Sequence, residues 1–185
     1  MSESIAHSDL WNPRVQQQNF RKILSAVSYP GSRERVAQEF EVLAVLACLA
    51  DRMSAIHDRD GLFSEWEMSL LGAQSTSLEN AQFVIAEGSI PPDPDWSPPF
   101  GSLESPELGA TLLLQCGCLN AGEIGVEMKG PGIQGSAQGS ISGLHPAWIE
   151  RRQVWVGDFP KGVDFLLVGK GEVMAWPRTA EIKMK

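Results

Sequence analysis

The chain has 185 residues, a net charge of −8 at pH 7 and a sequence pI near 4.9. Hydrophobic residues make up 43%, enough to bury a core, and the length suits one domain over 1–185. This acidity argues against a broad face for nucleic acid or an anionic membrane, and no apolar run reaches the ~18 residues of a transmembrane span.

The N-terminal stretch MSESIAHSDLWNP lacks a basic region followed by an apolar one, so no secretory leader is read there; residues 1–12 are expected to be flexible. NPRVQQQNFRKILSAVSYPG (12–31) reads as a helix, capped by Asn12, begun by Pro13 and ended by Pro30-Gly31. Val15, Phe20, Ile23, Leu24 and Val27 form its expected core stripe. A second helix is expected over about 36–52, apolar nearly all round and so buried on several sides. MSAIHD is a strand candidate, LFSEWEMSLLG (62–72) a short amphipathic helix ending at Gly72, and AQFVIAEG (81–88) a strand.

SIPPDPDWSPPFGSLESPELG (89–109) carries too many prolines for regular structure. A loop of this length in a compact domain is usually functional. Trp96 and Phe100 are expected to anchor it across a subunit boundary or onto a partner. ATLLLQCGCL (110–119) is the strongest strand signal, and the turn NAGE joins it to EIGVEM (123–128) in an expected hairpin. Cys116 and Cys118 would then share one face of that strand as buried free thiols. Three cysteines, an odd number, make no disulfide framework, and a reduced, cytoplasmic protein is expected. HPAWIERRQVWV (145–156) reads as a helix with Trp148 and Val154 or Trp155 inward, and GVDFLLVG (162–169) with EVMAW (172–176) as a hairpin across Lys170-Gly171.

KGPGIQG (129–135) places Gly130, Gly132 and Gly135 at the G-x-G-x-x-G spacing of a dinucleotide loop, directly after a strand. That motif binds pyrophosphate because a helix starts inside it and aims free N–H groups at the anion. Here the next residues are GSAQGSISG, which disfavour a helix, and Pro131 removes a donor. The better reading is a tight turn whose glycines supply positive φ. His57-Asp58 with Asp60 reads as a solvated polar turn, and Asp93 and Asp95 as loop charges. No nucleophile elbow, catalytic set or metal-ligand spacing stands out. Arg178 in WPRTA differs: between Pro177 and Thr179 beside a strand end, it presents its guanidinium either to an anion or partner carboxylate or to a surface ion pair.

NFRKILSAVSYPG (19–31), GATLLLQCGCL (109–119), KGPGI (129–133) and FPKGVDFLLV (159–168) followed by AWPRTAEI (175–182) together, and in this order, resemble the PhnH family, a component of the bacterial carbon–phosphorus lyase core complex. Lys161 stands where the family usually has an apolar residue, and WPRTA replaces a more typical aliphatic-Pro-Arg-Thr-Thr. The segment between the first two helices looks shortened, and residues 53–108 match poorly. The resemblance implies an α/β fold of three αβα layers around a mixed sheet, similar to the pyridoxal-phosphate-dependent transferases but without that cofactor. It also implies a homodimer working with the other carbon–phosphorus lyase subunits, G, I, J and L. The implied role is a supporting one, without catalysis alone, in phosphonate catabolism: a phosphonate oxygen attacks ribose C1′ of ATP, adenine leaves, and ribose 1-methylphosphonate 5-triphosphate forms. On this resemblance Arg21, Gly130, Gly132, Lys161, Asp164 and Arg178 are candidate ligand or partner contacts. The alternative is an independent phosphonate or nucleotide binder, or an enzyme, using a dimer-interface cleft near Arg178 and the glycine turn.

Overall fold

The computed structural model describes residues 9–36 and 41–185. Helix α1 (Pro13–Ser28) opens as its sequence dictates: the Asn12 side chain accepts from Arg14 N, and Pro13 occupies the first turn, where its missing N–H has no intrahelical partner to lose. Residues 1–8 of the expected flexible terminus and residues 37–40 of the second expected helix lie outside the described residues. Leu10, by contrast, is buried in the core. After β1 (Glu34–Arg35) come α2 (Glu41–Leu49), β2 (Ala55–Asp58), α3 (Glu65–Leu71) and β3 (Gln74–Ser75). Ser64 and Glu67 close a reciprocal capping box on α3, and Gly72 ends it in the left-handed region at φ 66°.

Strands β4 (Phe83–Glu87) and β5 (Thr111–Gln115) flank the proline-rich segment. Then follow β6 (Ile124–Lys129), β7 (Ala137–Ile141), α4 (Ala147–Trp155), β8 (Asp164–Gly169), β9 (Glu172–Trp176) and β10 (Glu181–Met184). Seven strands form one sheet in the order β1-β9-β8-β5-β4-β2-β3, while β10-β6-β7 form a separate antiparallel sheet. In the large sheet β8, β5, β4, β2 and β3 run parallel, and β9 runs antiparallel to both of its neighbours, β8 and β1. The β8–β9 hairpin turns at Lys170 and Gly171, both at positive φ (51° and 75°), the geometry that matches strand twist in a two-residue turn.

Two cores result. On one face of the large sheet, Ile56, Ile85, Leu113 and Leu166 pack against Ile23 and Ala26 of α1 and the apolar run Val42–Leu46 of α2. On the other, Val84, Leu112, Leu114, Phe165 and Trp176 pack against Trp148 and Trp155 of α4 and Val126, Met128 and Ile182 of the small sheet. The mixed α/β architecture is therefore layered as expected on one side only; the second outer layer combines a helix with a small sheet.

Three expectations fail for physical reasons. No β5–β6 hairpin forms: Leu112, Leu113 and Leu114 are all completely buried, the signature of a central parallel strand covered on both faces, and β5 pairs with β4 and β8. Because β5 ends at Gln115, Cys116 and Cys118 lie beyond it rather than alternating within it. Of the stripe expected to face the core from α1, Ile23 is buried beside Asn19 and Ala26 and Val15 is half-buried, whereas Phe20, Leu24 and Val27 are 46%, 54% and 41% exposed. In α4 it is Trp155 that is buried, while Val154 faces outward.

The proline-rich segment lies against this chain's own core. Trp96 makes edge and tilted contacts with Trp148 (5.7 Å) and Trp155 (6.5 Å), and the Arg59 guanidinium covers its ring at 5.1 Å. Trp96→Ala is therefore expected to lower folding stability by about 2–4 kcal/mol, read from the urea midpoint at unchanged slope. A variant as stable as the parent would show that Trp96 anchors something other than this fold.

Candidate functional site

Two of the sequence-predicted site residues, Asp164 and Arg178, meet where β8 begins and β9 ends, with Gly130 close by. Arg178 N donates to Asp164 Oδ1 at 2.7 Å, and the guanidinium Nε and Nη2 both donate to Oδ2, at 3.1 and 2.6 Å. Nη1 donates to the carbonyls of Pro106 (2.6 Å) and Pro160 (3.4 Å). One arginine thus fastens the start of β8, the end of the proline-rich segment and the 159–162 turn to the chain beyond β9. Its side chain is 12% exposed. The two-pronged contact expected of Arg178 exists, but the carboxylate is this chain's own.

The glycines make room for that clamp. At Gly109 the backbone angles suit any residue (φ −67°, ψ 139°), yet a Cβ would fall 2.2 Å from Gly162 O and 2.9 Å from Arg178 Nη1. At Gly130 (φ 138°) a Cβ would fall 3.0 Å from Thr179 O, and at Gly132 (φ 81°) only 2.1 Å from Ser28 O at the end of α1. The 129–135 stretch therefore works by close backbone approach on two sides. After it the chain enters β7, not a helix, so the dinucleotide reading falls with the helix it requires.

Gly130, Asp164 and Arg178 are brought together, with Gly132 one contact further along the same turn. Lys161 lies in the adjoining turn, but its Nζ pairs with Asp158 at 2.6 Å. Arg21 is exposed on α1, outside this cluster. Residues that sequence reasoning passed over include Arg59, whose guanidinium lies over the rings of Trp96 and Trp148, and Arg152, which is buried on the core face of α4. The signal for Arg152 was legible: it sits four residues after Trp148 and three before Trp155, on the apolar helical face where a charge is out of place.

Ligands of open α/β sheets gather at the carboxyl ends of the parallel strands. There, a cavity of about 430 Å³ is bordered by Glu41, Leu62, Phe63, Glu67 and Gln115. Among the described residues that line it there is no lysine to form an imine and no arginine to hold a phosphate, so these residues do not fit pyridoxal phosphate. Among the described residues no group of three or more His, Cys, Asp or Glu side chains is placed to hold a metal.

Residues 9–183 match the family model for bacterial phosphonate metabolism protein (PhnH). The chain belongs to the PhnH family. It is also 37% identical over 178 residues to a putative C–P lyase subunit protein, HtxG, of Stutzerimonas stutzeri, covering 95% of this chain and 90% of that protein. In this PhnH-family chain the residues that carried the resemblance, Gly109, Gly130 and the Pro-Arg-Thr of 177–179, are those that build the clamp.

Two outcomes test this geometry. Gly109→Ala is expected to cost about 2–3 kcal/mol, because the new methyl group must displace the Gly162 carbonyl and also crowds the guanidinium; an unchanged urea midpoint would refute the close packing. Burial, with Glu87 nearby, pushes the Cys116 thiol up to about 12 from an ordinary value of 9.0. The folded state then holds a proton that the unfolded state releases, so this contribution is intact below about pH 9 and is lost as pH rises toward 12. The alkaline loss of stability is expected to be smaller in Cys116→Ala than in the parent.

Proposed function

We propose that this chain is the PhnH-type subunit of a carbon–phosphorus lyase assembly. In this reading it supports formation of ribose 1-methylphosphonate 5-triphosphate from ATP and methylphosphonate without catalysing that step alone. The observation that carries the reading is the 37% identity to a putative C–P lyase subunit along nearly the whole chain. The strand order, with five parallel strands and the reversed strand β9 beside β8, supports the likeness to the pyridoxal-phosphate-dependent transferase fold. The lining of the cavity at the strand ends favours a chain that works without that cofactor.

The supporting role rests on charge. Attack on ribose C1′ requires cations around a triphosphate and stabilisation of a positively charged sugar centre. This chain carries −8 overall, and in the motif region Arg178 is matched by Asp164 and Lys161 by Asp158. The exposed stripe Phe20, Leu24 and Val27, with Tyr29 just beyond α1, is the kind of apolar surface that subunits bury on assembly, whether with a second copy or with the G, I, J and L subunits.

The test is adenine release from ATP and methylphosphonate, followed by chromatography, with each subunit omitted in turn. The chain alone is expected to release none, and omitting it from the full set is expected to abolish or sharply reduce release. Substantial turnover by the isolated chain would replace the supporting-subunit reading with that of an independent enzyme. Full turnover in its absence would remove it from the reaction.

A further inference from the structure

Arg152 is only 1% exposed, a degree of burial that a guanidinium tolerates only when its charge and donors are satisfied. Its Nη2 donates to three backbone carbonyls, those of Trp176 (3.4 Å), Pro177 and Ala180 (3.0 Å). Its Nε is buried without an acceptor. Nη1 also has no acceptor among the described residues and, unlike Nε, is not sealed from open space. No carboxylate among the described residues forms an ion pair with this cation; Asp164, the nearest acidic influence, is committed to Arg178.

The side chain borders a cavity of about 420 Å³ between α4, the 178–180 turn and β10. On its wall Arg178 is matched by Asp164 and Lys183 by Glu181, each at 2.6 Å. Arg152 is left as the unmatched cation, so the wall carries a local positive charge in a chain whose net charge is −8.

We propose that this cavity binds a phosphoryl or phosphonyl group, with Arg152 Nη1 as the central donor, Thr179 beside it and Lys183 at the rim. The donor set favours a tetrahedral oxyanion over a carboxylate. Arg152 Nη2, half of the fork that a flat carboxylate would engage, is already spent on carbonyls. The remaining donors come from a helix, a turn and a strand that line the same cavity, an arrangement that suits an acceptor with oxygens in several directions rather than two in a plane. The cavity is also much larger than a free phosphate needs, so there is room for the rest of an organic phosphonate or phosphate ester. The proposal concerns this chain alone, and its failure would leave the subunit reading untouched.

The experiment is calorimetric titration of the purified full chain at constant ionic strength with inorganic phosphate, methylphosphonate and acetate. Phosphate and methylphosphonate are expected to bind at millimolar concentrations or below, and acetate at least about tenfold more weakly. The relative affinity of the two phosphorus ligands distinguishes a phosphate-ester site from a phosphonate site. Arg152→Lys risks unfolding the 176–180 turn, so the decisive variants are Gln153→Glu and Lys183→Glu. Both add negative charge to the cavity wall while leaving the carbonyl cage around Arg152 intact. Each is expected to weaken phosphate binding about tenfold or more with an unchanged circular dichroism spectrum. Absence of binding by the folded parent, equal binding of acetate, or phosphate binding undiminished in both variants would overturn the assignment.

Discussion

The fork between Arg178 and Asp164 holds together parts of the molecule that are far apart in sequence. Asp164 opens β8, a strand hydrogen-bonded on both sides within the large sheet, and Arg178 follows the last strand of its hairpin. The same guanidinium reaches the Pro106 and Pro160 carbonyls, fixing where the long irregular segment ends before β5 begins. A charged, hydrogen-bonded pair of this kind loses more when one partner is removed than it gains by forming, because the partner left behind is partly buried and unmatched. Gly109 and Gly130 then follow as consequences: the backbone must come close to the guanidinium and to the 178–180 turn, and a side chain at either position would meet them.

Much of this was legible in the sequence where the signal is local. Asn12-Pro13, Gly72 and Lys170-Gly171 each specify a chain start or stop through their own backbone chemistry, and each does so in the fold. The family motifs also held the clamp residues: Asp164 and Arg178 do meet, with Gly130 against the adjoining Thr179 and Ala180. What could not be read was which partner each element takes. TLLLQ is apolar on both faces, and only the placement of β4 and β8 decides that it is a central parallel strand rather than one arm of a hairpin. Periodicity on α1 identified an apolar stripe but not the side the core lies on; the narrower face of Asn19, Ile23 and Ala26 is the buried one.

The outward stripe, the overall acidity and the internally satisfied motif cations are the features on which the proposed supporting role rests. Arg152 is the exception. Its Nη2 is held by backbone carbonyls, its guanidinium lies over the Phe165 ring at 5.9 Å, and it has no acid of its own among the described residues. Burial pulls its pKa down to about 10, still far above neutrality, so it remains charged under ordinary conditions.

If the clamp organises the fold, Arg178 and Asp164 must be coupled energetically within this chain. A double-mutant cycle over Arg178→Lys, Asp164→Asn and the combined variant, read from urea midpoints, measures this directly. A coupling energy of about 1.5–3 kcal/mol between the two positions is predicted. Additivity to within about 0.5 kcal/mol would contradict it and return Arg178 to the role of a free guanidinium awaiting a ligand or a partner.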